Sequence, residues 1–112
     1  MQEISWADFE KVDIGVGRVV EAEPFPEARK PSIKLTVDFG SEIGVKRSSA
    51  QLTAHYIPET LLGKQVVAVL NFPAKRIAGF KSEVLVLGVP DAEGAVVLLA
   101  PDREVPPGAR MF

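Results

Sequence analysis

Apolar residues recur along most of the chain at alternate positions or in short uninterrupted runs, and glycines and prolines separate these stretches. Such spacing is typical of β-strands, whose successive side chains point to opposite faces of a sheet. The pattern therefore predicts a protein that is chiefly β. The predicted strands are 12–22, 32–38, 45–49, 65–70, 84–88 and 95–100.

Two short helices are predicted to interrupt the strands. Ser5 and Asp8 have the spacing of a capping box, which satisfies the free amides of a helix start and predicts a turn of helix over 5–11. Pro58 and Gly63 bracket a second helix, with proline near its start and glycine at its end. Residues 24–31 and 40–44 are predicted to be loops or turns.

Five core strands with a helix between the third and fourth match the OB-fold, a five-stranded Greek-key barrel. The prediction adds a short N-terminal helix and an extra C-terminal strand. The two glycines of the first strand, Gly15 and Gly17, would permit a bend or a bulge there. A chain of 112 residues suffices for one hydrophobic core, so residues 1–112 are predicted to be a single domain.

Several kinds of chemistry find no support in the composition. The absence of cysteine excludes disulfides and thiolate metal sites, and His55 is the single histidine, so a metal site is not expected. The start of a dinucleotide fingerprint at 15–20 has Val20 where the third glycine belongs. Asp91 and Glu93 flank a glycine turn rather than form an acid–base pair. We expect no enzyme and no cofactor.

No apolar run approaches the roughly 18 residues that span a bilayer, and the first residues lack the features of a signal peptide. The expectation is a soluble, cytoplasmic protein.

Charge is distributed unevenly along the chain. The formal net charge is -2, yet residues 29–81 contain nine cations and three anions, a net charge of +6, and the two ends together carry -8. A fold that gathers the middle onto one face would present a positive patch that attracts polyanions despite the negative total. The alternative is a set of cations scattered over a solvated surface.

The stretch 71–82, NFPAKRIAGFKS, concentrates three of these cations, Lys75, Arg76 and Lys81, between two predicted strands. Basic side chains beside aromatic rings are typical of surfaces that bind phosphates and stack bases. The alternatives are an ordinary solvated hairpin and phenylalanines that close the barrel ends. Of the two phenylalanines, Phe80 is expected to be the more exposed and Phe72 the more buried.

A second basic group lies on the first long loop and the two strands that follow, where OB-folds usually bind ligands. It comprises Arg29, Lys30, Lys34, Lys46 and Arg47. Ser48, Ser49 and Gln51 come directly after it and would either contact RNA or satisfy local backbone groups.

Three segments resemble the tRNA-binding domain family, which occurs alone and appended to aminoacyl-tRNA synthetases. They are DIGVGRVV at 13–20, PEAR at 26–29 and NFPAKRIAGFKS at 71–82. The phrases at 33–35, 48–51 and 80–88 are more similar to the stand-alone bacterial CsaA proteins. The resemblance extends from about Phe9 to Arg110. It implies an OB-fold, a homodimer, tRNA binding and a chaperone-like role in protein export.

Matched position by position, the resemblance implies RNA contact for Asn71, Lys75 and Ser82 and a backbone role for Gly79. The wider family usually continues after this serine with one residue and then Gly-Met, whereas this chain has EVL at 83–85. The sequence therefore places a carboxylate, Glu83, beside the expected anion site. The predicted RNA-binding residues are Arg29, Lys30, Lys46, Arg47, Ser48, Asn71, Lys75, Arg76, Gly79, Phe80, Lys81 and Ser82.

Both chain ends are apolar, and the terminal extensions 1–11 and 101–112 are predicted to lie in the dimer interface. The predicted interface residues are Trp6, Phe9, Val105, Met111 and Phe112. The alternative is that Trp6 packs on its own barrel. The predicted function is binding of tRNA or structured RNA by a homodimer. Binding of unfolded or export-bound polypeptides is the second possibility.

Overall fold

A computed structural model describes all residues from Met1 to Phe112 and contains nine strands and three short helices. In chain order they are α1 (Trp6–Glu10), β1 (Ile14–Pro24), β2 (Ile33–Asp38), α2 (Gly40–Ile43), β3 (Val45–Ala50), α3 (Pro58–Leu61), β4 (Gln65–Val69), β5 (Lys75–Ile77), β6 (Phe80–Ser82), β7 (Leu85–Val86), β8 (Gly88–Pro90) and β9 (Val96–Leu98).

Five antiparallel strands form the main sheet in the order β3-β2-β1-β4-β7. The segment before β7 closes this sheet into a barrel by bonding to β3. The Glu83 amide donates to the Arg47 carbonyl at 2.7 Å, and the Ser48 hydroxyl donates to the Val84 carbonyl at 2.9 Å. A nearly closed five-stranded barrel with few short helices confirms the predicted OB-fold.

Apolar side chains at alternate strand positions point inward and fill the barrel. Ile33, Leu35 and Val37 of β2 point inward and are at most 2% exposed, as are Val19 of β1 and Val66 of β4. A second apolar cluster lies on the outer side of β1 and β4, on side chains that alternate with the core residues. It comprises Ile14, Val16, Val67 and Val69, with Val12, Leu87 and Val105 packed against it.

The bulge expected at the glycines of the first strand lies elsewhere. The register between β1 and β2 shifts between Val19 and Glu21, beyond both glycines. Gly17 is needed for a different reason: a Cβ at this position would lie 2.5 Å from Val37 and 2.7 Å from the Phe39 ring. Glycine therefore serves close packing there rather than a bend.

Several predicted element boundaries differ from the structure, and the first strand, predicted over 12–22, is found at Ile14–Pro24. Residues 40–44, predicted to turn, contain the short helix α2. The predicted fifth strand divides into β7 and β8, because β7 pairs with β4 whereas β8 pairs with β9 in a hairpin of its own. The predicted sixth strand, 95–100, is shorter and is represented by β9.

The C-terminal segment runs antiparallel along the start of β1. The Val16 amide donates to the Ala109 carbonyl at 3.0 Å, and the Met111 amide donates to the Ile14 carbonyl at 2.8 Å. The Gln65 side-chain nitrogen donates to the Val105 carbonyl at 2.7 Å, and the Gln65 side-chain oxygen accepts from the Val105 amide at 3.1 Å. These bonds cover a strand edge that would otherwise be open.

Candidate nucleic-acid interface

The predicted hairpin is formed by β5 and β6, which are joined by the two residues Ala78 and Gly79. Both have positive φ, 46° and 82°, as the tight hairpin turn that matches strand twist requires. The register pairs Arg76 with Lys81 directly across the two strands. Strand alternation places these two cations on one face of the hairpin. Lys75, Ile77, Phe80 and Ser82 share the opposite face.

Arg76 and Lys81 form a pair of like charges with no neutralising partner. Neither has a carboxylate oxygen within 4.0 Å, and the Arg76 guanidinium reaches only the Gly79 carbonyl, at 3.4 Å. Like charges directly opposite each other on a sheet are destabilising. An anion bound between them would relieve this repulsion.

Ion pairing divides the cations of the chain into two groups. Lys11, Arg18, Arg103 and Arg110, which lie outside residues 29–81, each pair with a carboxylate. Of the nine cations within 29–81, only Arg47 has such a partner, Glu23 at 3.9 Å. The charge of the middle segment is therefore left largely free.

Phe80 and Phe72 have the reverse of the expected exposure. Phe80 is only 6% exposed, and its ring lies 5.4 Å from that of Phe25 in an edge-on contact. Lys34 and Arg47 lie over the same ring, at 5.3 and 4.5 Å from its centre. The Phe80 ring therefore packs against these two cations and is not free to stack with a ligand. Phe72 is 53% exposed, so it is the ring accessible to a ligand.

The contact between Phe25 and Phe80 brings two basic loops together. Phe25 begins the loop between β1 and β2, whose base is closed by its amide donating to the Ser32 carbonyl at 3.1 Å. Arg29 and Lys30 are exposed on this loop. Sequence analysis missed Phe25, although an aromatic residue at a loop entrance was a usable signal. We define the basic face as Arg29, Lys30, Lys34 and Arg47, together with Arg76 and Lys81 on the face of the adjoining hairpin opposite to Phe80.

Some predicted RNA-binding residues have structural partners instead. Ser48 is 1% exposed and fastens the barrel through its bond to Val84, so its hydroxyl is not accessible to RNA. Lys46 falls on the same side of β3 as Ser48, opposite to Arg47. Ser82 accepts a hydrogen bond from the Ser49 amide at 3.1 Å.

Asn71 and Glu83 also bond within the chain. The Asn71 amide oxygen accepts from the Asp13 amide at 2.9 Å, and its nitrogen donates to the Lys11 carbonyl at 2.7 Å. The Glu83 carboxylate accepts from the Arg47 amide at 3.1 Å. It is thus bound to β3, where it helps to close the barrel.

A cleft of about 690 Å³ lies beside the hairpin. Its walls are mainly apolar, and its polar members are on strands β3, β5 and β6 and on the residues that follow β3 and β6. Lining residues include Ser49, Gln51, Phe72, Lys75, Val84 and Val96.

The chain ends meet at a second, smaller groove of about 180 Å³. Trp6, Phe9, Met111 and Phe112 line it, and the Arg110 guanidinium joins the two ends by donating to the Glu10 carbonyl at 2.9 Å. Trp6 is 66% exposed and contacts Phe9, so it does not pack on the barrel core. Val105 lies apart from this groove, half-buried against the outer cluster of β1 and β4.

The single histidine of the chain, His55, is paired with a carboxylate. His55 Nε2 lies 2.6 Å from an Asp91 carboxylate oxygen, and this hydrogen bond, with the backbone amides of Ala95 and Glu93, holds the pKa of Asp91 below its usual value. The structure has no group of three His, Cys, Asp or Glu side chains that would hold a metal ion. None of its helices has the length and apolarity to cross a membrane.

The family model described as "Putative tRNA binding domain" matches residues 14–110, which contain the barrel and the hairpin. The chain belongs to the tRNA-binding domain family. This confirms the predicted family, which also matches one part of larger synthetases.

Two groups of known proteins are similar to the chain. Methionine–tRNA ligase of Porphyromonas gingivalis is 36% identical over 110 residues, and that of Pyrococcus furiosus is 39% identical over 111 residues. These matches cover 98% and 99% of this chain but only 16% and 15% of the ligases, so the chain spans about a sixth of the length of these curated relatives.

Solved structures of similar size match over their full length. The crystal structure of chaperone CsaA from Bacillus anthracis is 55% identical, with a TM-score of 0.91 and coverage of 99% of this chain and 100% of that one. The CsaA chaperone protein of Picrophilus torridus is 48% identical, also with a TM-score of 0.91, and coverage is 98% and 100%. The chain is thus similar both to whole CsaA structures and to one domain of the ligases.

Proposed function

We propose that the protein binds tRNA or a similarly structured RNA through the basic face, and that it does so as a homodimer. The observation that carries this proposal is that eight of the nine cations in residues 29–81, Arg76 and Lys81 among them, have no carboxylate partner. Phosphates would supply the missing negative charge, and the two loops and the strands between them would follow an RNA backbone. Lys75 lies on the opposite face of the hairpin and lines the adjacent cleft.

Recognition on this surface would rest mainly on shape and phosphate positions. Its outward groups are lysine and arginine donors, and two carboxylates next to them, Glu23 and Glu83, are already bonded to Arg47. The structured RNA would therefore be chosen by the spacing of its phosphates, with few contacts to base edges.

Pull-down of cellular RNA with two matched double variants tests the proposal. Arg76→Gln with Lys81→Gln removes two charges from the basic face, whereas Lys64→Gln with Arg103→Gln removes two charges elsewhere. The first variant should lose most of its RNA and the second should retain it. Equal recovery of RNA by both would refute the proposed face.

The dimer is proposed from the exposed apolar residues at the chain ends. Trp6 and Phe112 are 66% and 99% exposed, and both line one groove with Phe9 and Met111. A second copy would cover these side chains. Measuring the mass in solution of the full chain and of a variant lacking residues 1–9 tests this. A monomer at micromolar concentration in both cases would contradict it.

Binding of unfolded polypeptides is a second candidate, favoured by the apolar cleft beside the hairpin and by the similarity to the CsaA chaperones of known structure. Such binding would bury apolar area and would be less sensitive to salt than RNA binding. Competition between tRNA and an unfolded polypeptide separates the two. Polypeptide binding without any RNA binding would overturn the first proposal.

A further inference from the structure

Phe72 is an exposed aromatic ring on an anchored backbone. The residue before it, Asn71, uses both ends of its side-chain amide to hold the backbone of Lys11 and Asp13. The Leu70 amide donates to the Asp13 carbonyl at 2.7 Å, and Pro73 fixes the next φ angle. The backbone that carries the ring is therefore held in place before any ligand arrives, which lowers the entropy lost on binding.

The cleft next to this ring has unused polar groups. The side chains of Ser49, Gln51 and Lys75 line it and make no hydrogen bond or ion pair within the chain. The carboxylate of Glu83 lines it too, but that group already accepts from the Arg47 amide. The free groups are thus a hydroxyl, a neutral amide and an ammonium.

We propose that this cleft holds one unpaired base of the bound RNA, stacked on Phe72, with its polar edge toward Gln51 and its phosphate near Lys75. This inference rests on the proposed RNA binding and adds a subsite to it. The cleft volume of about 690 Å³ lies within the usual range of small-ligand sites, so a nucleoside fits. A base-paired duplex would not enter it, so the base must be unpaired.

Charge favours RNA over polypeptide as the occupant. Lys75 contributes to the cleft, and the next residue, Arg76, belongs to the basic face across the same hairpin. An RNA strand that crosses the edge of the hairpin from the basic face would therefore reach the cleft. Aromatic rings beside cations are how single-stranded segments are commonly held.

The test measures binding of a short single-stranded RNA that contains 2-aminopurine, whose fluorescence falls when the base stacks. Phe72→Ala should weaken binding about 5- to 150-fold, the usual loss per stacked base, and should abolish the fluorescence change. Phe72→Tyr, which keeps the ring, should retain both. Leu62→Ala truncates another apolar side chain that is 53% exposed, as Phe72 is; it is the matched control and should bind as the wild type does.

Salt dependence and base preference separate this subsite from the basic face. Phe72→Ala removes no charge, so its salt slope should equal that of the wild type, whereas Arg76→Gln with Lys81→Gln should flatten the slope. Gln51→Leu should change the relative affinities for oligonucleotides that differ in one base.

Two outcomes would overturn the inference. If Phe72→Ala binds RNA like the wild type while the Arg76→Gln, Lys81→Gln variant does not, the subsite is wrong and the proposed function stands. If Phe72→Ala weakens binding of an unfolded polypeptide but not of RNA, the cleft belongs to the polypeptide. If the wild type binds no RNA at all, the proposed function itself is refuted.

Discussion

The cross-strand pair of Arg76 and Lys81 predicts that removing one cation stabilises the free protein while it weakens RNA binding. The two residues occupy directly opposed positions of the hairpin, and neither has a carboxylate within 4.0 Å. Directly opposed side chains have Cβ atoms about 5 Å apart, and charged pairs at that separation change stability by about 0.2–1 kcal/mol. Lys81→Gln should therefore raise the free energy of unfolding by that amount.

Salt should diminish this gain. The Debye length falls from about 10 Å at 0.1 M salt to about 3 Å at 1 M, so the repulsion between the two cations is largely screened at high salt. Thermal unfolding at low and high salt measures the effect. For a domain of this size the gain corresponds to roughly 1–5 °C at low salt, and it should nearly disappear at 1 M.

Lys64→Gln is the matched control for this experiment. Lys64 also lacks a carboxylate partner but lies outside the hairpin, just before β4, so its removal should leave the melting temperature nearly unchanged. If Lys81→Gln lowers stability at low salt, or if its gain does not depend on salt, the reasoning about opposed cations is refuted.

Three further predictions concern the barrel and its loops. Gly17→Ala should destabilise the protein by about 1–3 kcal/mol in urea unfolding, because the new methyl group meets two buried side chains; an unchanged midpoint would contradict this packing. Ala78→Asn should stabilise it by up to about 1 kcal/mol, since asparagine tolerates the positive φ at the hairpin turn better than alanine; a loss of stability would show that the turn differs. The hydrogen bond from His55 lowers the pKa of Asp91 in the folded protein below the ordinary value of 3.8. The ionised Asp91 carboxylate therefore stabilises the fold above pH 3.8, and this stabilisation is lost as the pH falls through the lowered pKa. The stability difference between wild type and His55→Ala should accordingly shrink as the pH falls below 3.8, and a difference that grows on acidification would contradict this pairing.

The sequence sufficed for the strands, the hairpin and the basic middle segment, because these follow from local periodicity and from counting charges. It did not suffice for the exposure of Phe72 and Phe80. Which face of a hairpin a residue occupies depends on register, and a shift of one residue exchanges the two faces. Phe80 lies opposite Ile77, on the face turned toward Phe25, and this pairing was not apparent from the hydrophobic pattern.

Long-range partners explain the remaining differences. Arg18 pairs with Glu104, 86 residues away, so ion pairing across the barrel cannot be read from neighbours in the sequence. For the same reason Glu83, expected beside the anion site, is found bonded to the amide of Arg47. The glycine-rich start of β1 indicated a bend, whereas the need for Gly17 comes from Val37 and Phe39 on the next strand and beyond.

The salt dependence of tRNA affinity tests the basic face most directly. Each phosphate contact that a cation makes contributes about 0.7–0.9 to the slope of log affinity against log salt concentration. The wild type should therefore lose affinity steeply as salt rises, and Arg76→Gln with Lys81→Gln should reduce the slope by about 1.4–1.8. The Lys64→Gln, Arg103→Gln control should keep the wild-type slope. A flat wild-type response, or equal slopes for all three proteins, would contradict binding through the basic face.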